Sequence, residues 1–354
     1  MQWMRTVEWD SDTCQLKMID QRKLPGQLDI VTFDHYADVA EAIRTMVVRG
    51  APAIGVAAAF GIALAAFYSK QDTLEGVRRD LKLANDLLGQ SRPTAVNLFW
   101  ALDRMNRVAN QNVSSIVELR DLLIKEAQIL ADEDIETNLQ MARIGSELIN
   151  DGDTIIHHCN TGALATVDWG TALGVIRMAH EQGKRIHVLV DETRPRLQGA
   201  RLTAWELSQY KIPYDIITDN AAGFYLRQGE VQKVLFGADR VASNGDVANK
   251  IGSYMLALAA HANDVPVYAV FPTSTIDMTL RSGDEIPIEN RGMDEVLDIQ
   301  VRGEKVTPEG ATARNPAFDV TPGRLLSGLI TEKGVLYPPY RLNLSRLFRS
   351  NSEI

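Results

Sequence analysis

After Asn150 five short apolar runs, residues 154–158, 186–190, 214–218, 234–238 and 267–271, alternate with stretches long enough for helices. Parallel strands need crossover connections, and the helices that supply them cover both sheet faces, so such strands read as unbroken apolar runs. The alternation therefore predicts βαβ units, a largely parallel sheet and a Rossmann-like region over residues 131–354. Ligands of these sheets sit beyond the carboxyl ends of the strands, where the strand order reverses.

The first part of the chain follows a different pattern. Residues 7–9, 15–19 and 28–33 are rich in β-formers, with Pro25-Gly26 as a turn, and helical periodicity follows over 36–48, 51–68, 73–88, 96–111 and 115–150. The predicted fold class is α/β: a mainly helical N-terminal domain (1–130) with a small antiparallel sheet, then the Rossmann-like domain. The run 51–68 approaches the roughly 18 residues of a membrane span. Alanine dominates it, and Pro52, Gly55 and Gly61 interrupt it, which predicts a buried, closely packed helix and no membrane segment.

Several function classes lose ground at this point. None of the 25 glycines lie two positions apart, so G-x-G-x-x-G is absent, and after Gly50 and Gly55 a valine stands where a P-loop needs lysine. The 6 histidines form no H-E-x-x-H, and two distant cysteines, Cys14 and Cys159, cannot build a zinc cluster or a disulfide framework. Simple nicotinamide chemistry, nucleoside-triphosphate hydrolysis and zinc catalysis lose weight together. The opening residues lack the apolar core of a secretory signal, so a reducing cytoplasm is the expected location. The net charge of −9 disfavours nucleic acid, whose binding draws on Lys and Arg to displace counterions.

The strand ends carry the polar groups: Cys159-Asn160-Thr161-Gly162, Asp191-Glu192-Thr193-Arg194, Asp219-Asn220, Gly237-Ala238-Asp239-Arg240 and Phe271-Pro272-Thr273-Ser274-Thr275. Each alone reads as helix capping; five together point to a polar small-molecule site. Cys159, read as lying where a strand gives way to a helix, is either a reactive thiol or a small buried hydrophobe. Asp239 is either a general acid or base, or a partner of Arg240 or a cap. Asn249-Lys250 precedes a predicted helix at 251–261, where the ammonium and free N–H groups suit a phosphate. Arg49-Gly50-Ala51 lies at the foot of the alanine-rich helix, and Arg92-Pro93-Thr94 opens another; either arginine suits a phosphate or is a solvated charge. Gln198-Gly199 reads as a loop with no assigned role.

Taken in order, Val48-Arg49-Gly50-Ala51-Pro52-Ala53-Ile54-Gly55, Ser91-Arg92-Pro93-Thr94-Ala95-Val96-Asn97-Leu98, His158-Cys159-Asn160-Thr161-Gly162, Asp191-Glu192-Thr193-Arg194-Pro195, Gly237-Ala238-Asp239-Arg240 and Asn249-Lys250-Ile251-Gly252 resemble the 5-methylthioribose-1-phosphate isomerase family of methionine salvage. The likeness runs through Tyr337-Pro338-Pro339. It implies an aldose-ketose isomerase of a sugar phosphate, with Asp239 as proton donor and Cys159 as second catalytic group. It places Arg49, Gly50, Ala51, Arg92, Gln198, Asn249 and Lys250 on substrate-contacting positions, and implies a homodimer without cofactor. Two relatives in architecture set the alternatives: a ribose-1,5-bisphosphate isomerase, and a non-catalytic regulatory subunit of the translation-initiation nucleotide-exchange factor.

Overall fold

The computed structural model describes residues 5–92 and 95–349. The chain divides into two compact units, Met1–Gln140 with Thr161–Gly174, and Met141–Asn160 with Val175–Ile354.

In the first unit, strands β1 (Val7–Asp10), β2 (Gln15–Ile19) and β3 (Ile30–Phe33) form an antiparallel sheet in that order. Val7, Trp9, Leu16 and Met18 alternate onto its buried face, as a one-sided sheet requires. Five helices follow: α1 (Tyr36–Arg44), α2 (Ala51–Phe67), α3 (Leu74–Ser91), α4 (Val96–Ala109) and α5 (Ile116–Ser146). α1 stops four residues before the expected end because Met46 turns left-handed (φ 62°) and Val47 N–H folds back to Ala42 O at 2.9 Å.

α2 is the centre of this unit. Every residue from Ala53 to Ala66 is buried, which is how a helix apolar on all sides is accommodated in a protein core. Its small residues set the packing distances. A Cβ on Gly55 would lie 2.9 Å from Asn97 O of α4, and one on Gly61 would lie 3.1 Å from Leu88 of α3. Phe60 of α2 stacks on Trp9 with ring centroids 5.8 Å apart, and burial of such a side chain contributes about 2–3 kcal/mol. Among the described residues no helix is long and apolar enough to cross a membrane. The segment Thr161–Gly174 belongs here through Thr6 Oγ1 to Ala163 O and Gln21 Nε2 to Leu164 O, both 2.7 Å.

The second unit is built on a seven-stranded sheet. Its strands are β4 (Thr154–His157), β5 (His187–Asp191), β6 (Tyr214–Ile217), β7 (Lys233–Phe236), β10 (Val267–Val270), β15 (Gly328–Thr331) and β16 (Gly334–Leu336), in the order β16-β15-β10-β7-β4-β5-β6. All pairings are parallel except β15 with β16. The crossovers are α6 (Ala172–Glu181), α7 (Ala204–Tyr210), α8 (Ala222–Gln228) and α9 (Ser253–His261). Every residue of β7 is buried, whereas the edge strand β6 exposes Asp215 and Ile216, so double coverage holds in the middle of the sheet and lapses at its edge.

A second, four-stranded sheet lay beyond the sequence reading. It comprises β8 (Arg240–Ala242), β9 (Val247–Lys250), β11 (Ile276–Asp277) and β14 (Phe318–Thr321) in the order β11-β8-β9-β14. Strands of two to four residues give too little periodicity to register, although Asn244-Gly245, a strong hairpin signal, joins β8 to β9. A short hairpin of β12 (Gln300–Val301) and β13 (Glu304–Lys305), a one-turn helix α10 (Asp294–Leu297) and the terminal α11 (Tyr340–Arg349) complete the unit.

Candidate active site

The strand order contains one reversal. From β4 the chain builds outward through β5 and β6, then returns to lay β7, β10 and β15 on the other side of β4. β4 and β7 are therefore neighbours, with Ile156 opposite Val234, and the crevice beyond their carboxyl ends is where an open α/β sheet receives a ligand. Cys159 follows β4 by two residues and Asp239 follows β7 by three.

Cys159 is buried and lies in the left-handed backbone region, φ 68°. Two threonine hydroxyls hold it there. Cys159 N–H donates to Thr193 Oγ1 at 2.9 Å, and Thr203 Oγ1 donates to Cys159 O at 2.7 Å. Thr193 is itself left-handed (φ 61°), an outlier for a β-branched residue, and such residues cost about 1–3 kcal/mol each. Its hydroxyl donates to Asp191 O at 3.0 Å, while its N–H and that of Arg194 donate to the two oxygens of Asp219, each at 2.7 Å. Thr203 closes a π-helical turn, Gly199–Thr203, and accepts from Asn160 Nδ2 at 3.2 Å, which also reaches Glu206 Oε1 at 2.7 Å. Only glycine fits at 199, since a Cβ would fall 1.7 Å from Asp191 O.

The expected helix amino terminus at Cys159 is not there. A three-residue 3₁₀ turn starts at Ala163 and α6 only at Ala172, so Cys159 lies in a left-handed turn and not at a helix start.

His158, next in line, is gripped through both ring nitrogens: Nδ1 to Asp191 Oδ2 at 2.8 Å and Nε2 to Ile251 O at 2.9 Å. A carbonyl only accepts, so Nε2 carries a hydrogen, and a second hydrogen is shared between Nδ1 and Asp191. Burial opposes charge on the ring, but the hydrogen bond and charge of Asp191 outweigh it and raise the His158 pKa. Burial pushes the Asp191 carboxyl up to about 6 against the pull of His158. The neighbouring His157 is held neutral, down to about 3, by burial and by the charge of His158. His158, Asp191 and Asp219 bring possible ligand atoms within 4.8 Å of one another, yet both imidazole nitrogens are committed and the ring has no lone pair to offer a metal.

The same histidine ties β4 to the end of β9. Gly252, at φ 105°, passes so close that a Cβ would lie 2.8 Å from His158 Cε1. Asn249 and Lys250 therefore end a strand, and α9 starts three residues after Lys250, at Ser253; Asp319 caps that helix from β14 through the N–H groups of Gly252 (2.8 Å) and Tyr254 (3.1 Å). Asn249 Nδ2 donates to Ser253 Oγ at 2.8 Å, and Lys250 Nζ lies 4.2 Å from the ring centroid of its cross-strand partner Phe318. Both are buried. Gln198, also buried, presents Oε1 with no hydrogen-bond partner among the described residues, an acceptor whose satisfaction by a ligand hydroxyl would recover a cost of about 1–3 kcal/mol.

Asp239 differs. It is exposed in the link between β7 and β8, anchored by its N–H to Ala248 O at 2.9 Å. Arg240 pairs with Asp277 at 3.9 Å.

In the first unit, Arg49, Gly50 and Ala51 lie at the start of α2. Gly50 (φ 98°) is obligatory, because a Cβ would lie 2.2 Å from Ala165 O. Arg92 ends α3; the next helix begins at Val96, so Arg92 does not open it. Pro93 and Thr94 lie outside the described residues.

Residues 47–338 match the Initiation factor 2 subunit family. Methylthioribose-1-phosphate isomerase 2 of Pseudothermotoga lettingae is 53% identical over 99% of this chain and 100% of its own length. The chain belongs to the methylthioribose-1-phosphate isomerase family. Among solved structures, 5-methylthioribose 1-phosphate isomerase of Pyrococcus horikoshii OT3 superposes with a TM-score of 0.92 at 45% identity, covering 99% of this chain and 97% of that one. A chain from A. fulgidus described as translation initiation factor eIF-2B, subunit delta, gives 0.89 at 42% identity, covering 98% and 100%.

For a member of the isomerase family, the sequence reading missed the supporting network of His158, Asp191, Thr193, Thr203 and Asp219. The phrase Asp191-Glu192-Thr193-Arg194 marked its place without revealing its contacts, which join residues 33 and 34 positions apart.

Proposed function

We propose that this chain converts 5-methylthioribose 1-phosphate to 5-methylthioribulose 1-phosphate, with Asp239 and Cys159 as the catalytic groups. The observation that carries the site is their place after the two strands flanking the sheet's one reversal. The anomeric oxygen of the substrate is esterified, so the ring cannot open to a free aldehyde without help. Asp239 delivers a proton to the ring oxygen, the bond from that oxygen to C1 breaks, and the substrate covers the otherwise exposed carboxyl. Hydrogen then moves from C2 to C1 while the C2 hydroxyl loses its proton, which returns to the Asp239 carboxylate, leaving a ketone at C2 and the net proton count unchanged. Cys159 assists this second step, as thiolate base if the hydrogen travels as a proton and as a polarising thiol if it travels as hydride. The family resemblance supports Arg49, Gly50, Ala51, Arg92, Asn249 and Lys250 as substrate-contacting positions, and the orphan acceptor of Gln198 suits a sugar hydroxyl.

Phosphorus and proton NMR of the purified protein with methylthioribose 1-phosphate tests this: the ketose is the expected product, and its absence overturns the reading. In deuterated water, solvent deuterium at C1 excludes a purely direct hydride shift. The likeness to the A. fulgidus chain favours one second reading, a regulatory subunit. It has no use for an acid and a thiol at the switch point, and predicts no turnover. Ribose 1,5-bisphosphate in the same assay decides the remaining substrate alternative.

A homodimer is part of the proposal, supported by the large apolar side chains exposed on α8 (Phe224) and α9 (Met255 and Leu258). The net charge of −9 supports a protein without nucleic-acid partners, and two free cysteines suit a cytoplasmic location.

A further inference from the structure

We propose that Thr193 is a positioning residue whose hydroxyl holds Cys159 in the left-handed conformation from which the thiol acts; the proposal rests on Cys159 being a catalytic group. Two non-glycine residues in the left-handed region, hydrogen-bonded to each other across 34 positions at the reversal of the sheet, are not what local preference produces. Such conformations persist only where the surroundings over-determine them, and they cluster at functional sites.

The surroundings here are specific. The Thr193 hydroxyl accepts from Cys159 N–H and donates to Asp191 O, so one oxygen hydrogen-bonds two buried backbone groups. Thr193 is in turn fixed by Asp219 at its N–H (2.7 Å) and by Leu197 N–H at its carbonyl (2.8 Å). From the other side Thr203 grips Cys159 O. With both backbone groups of Cys159 clamped, the direction of its Cα–Cβ bond is set by the two threonines. Misplacement of a reacting group by about 1 Å costs on the order of 100-fold in rate.

The chemistry of the clamp dictates the variants. Thr193→Val keeps the shape but removes the hydroxyl; Thr193→Ala removes the hydroxyl and relieves the crowding of a β-branched residue at φ 61°; Thr193→Ser keeps the hydroxyl. A Cys14→Ala background makes Cys159 the one thiol in the chain. We expect Thr193→Val and Thr193→Ala to lower kcat about 10- to 100-fold with KM within about 2-fold, and to change the alkylation rate of Cys159 by iodoacetamide. Thr193→Ser should recover kcat to within about 3-fold of the parent. If Thr193→Val does not fold, Thr193→Ala against Thr193→Ser carries the test alone. A hydroxyl-free variant that folds with parental kcat and alkylation rate overturns the proposal. A Cys159→Ala protein with parental turnover overturns instead the reading of Cys159 as catalytic, so the two failures are distinguishable.

Discussion

The ends of β4 and β7 are adjacent in the sheet and opposite in character. At β4, Cys159 is buried, left-handed and clamped at both backbone groups, and His158 beside it is fixed through both ring nitrogens. At β7, Asp239 is exposed on a link between two sheets, its N–H donating to Ala248 O. The position of Cys159 is thus written into the fold, whereas the Asp239 side chain faces solvent. In the proposed reaction, this division lets one group be aimed accurately while the other meets substrate from solution.

The largest expected effect breaks the two ends separately. Cys159→Ala and Asp239→Asn should each lower kcat by roughly 100- to 10,000-fold, the range for loss of a positioned proton-transfer group. Their stabilities should diverge. Asp239→Asn alters an exposed side chain and should stay within about 0.5 kcal/mol of the parent, whereas changes at Cys159 act on a strained, buried turn. Steady-state kinetics with urea denaturation of both variants checks this; near-normal turnover in either removes that residue from the mechanism.

How far the sequence foretold these ends follows from the range of the interactions. Apolar runs and their polar stops are local, so β4, β5, β6, β7 and β10 were legible to within three residues, and Cys159 and Asp239 with them. α2 was legible as a core helix because alanine and glycine declare close packing without any knowledge of Asn97 or Leu88. The left-handed turn at Cys159 was not legible, since nothing in Cys-Asn-Thr-Gly forbids an ordinary helix start; Thr193 and Thr203 impose the turn from 34 and 44 positions away. Lys250 was misplaced onto a helix for a related reason: β9 owes its existence to partners β8 and β14, the latter about 70 residues on, while the apolar run after Lys250 looks helical by itself.

A second test concerns the loop Thr161–Gly174, which continues the chain from the β4 end inside the first unit. Asp134 of α5 accepts Val167 N–H at 2.7 Å. Burial raises its pKa from 3.8 to about 7, with the Val167 and Asn138 hydrogen bonds opposing and Asp168 adding repulsion. A carboxyl raised in the folded state binds its proton more tightly there than in the unfolded chain. Its contribution is fully present below pH 3.8 and is lost as pH rises toward and through about 7. Asp134→Asn keeps an acceptor for Val167 and cannot ionise. The variant should match the parent near pH 4 and exceed it by about 1–3 kcal/mol at pH 8, below the full linkage value because water relaxes buried sites. Urea melts at both pH values check the sign, and a gain that does not grow with pH refutes the assignment.

The smallest effect is the sharpest probe of the strained end. Cys159 at φ 68° holds a conformation that glycine adopts freely and alanine does not. Both Cys159→Gly and Cys159→Ala remove the thiol, so neither retains the proposed catalytic group. The two differ by one methyl at Cβ and by the left-handed penalty, about 1 kcal/mol in favour of glycine. Glycine also gains freedom in the unfolded chain, which offsets part of that advantage. If the fold imposes the left-handed turn on residue 159, the glycine variant should be at least as stable as the alanine variant, by zero to about 1 kcal/mol. At an unstrained buried position the order reverses, because alanine restricts the unfolded chain and fills space. Paired urea melts of the two variants therefore read the strain at the β4 end without reference to activity, and the same pair at Asp239 should show no such inversion.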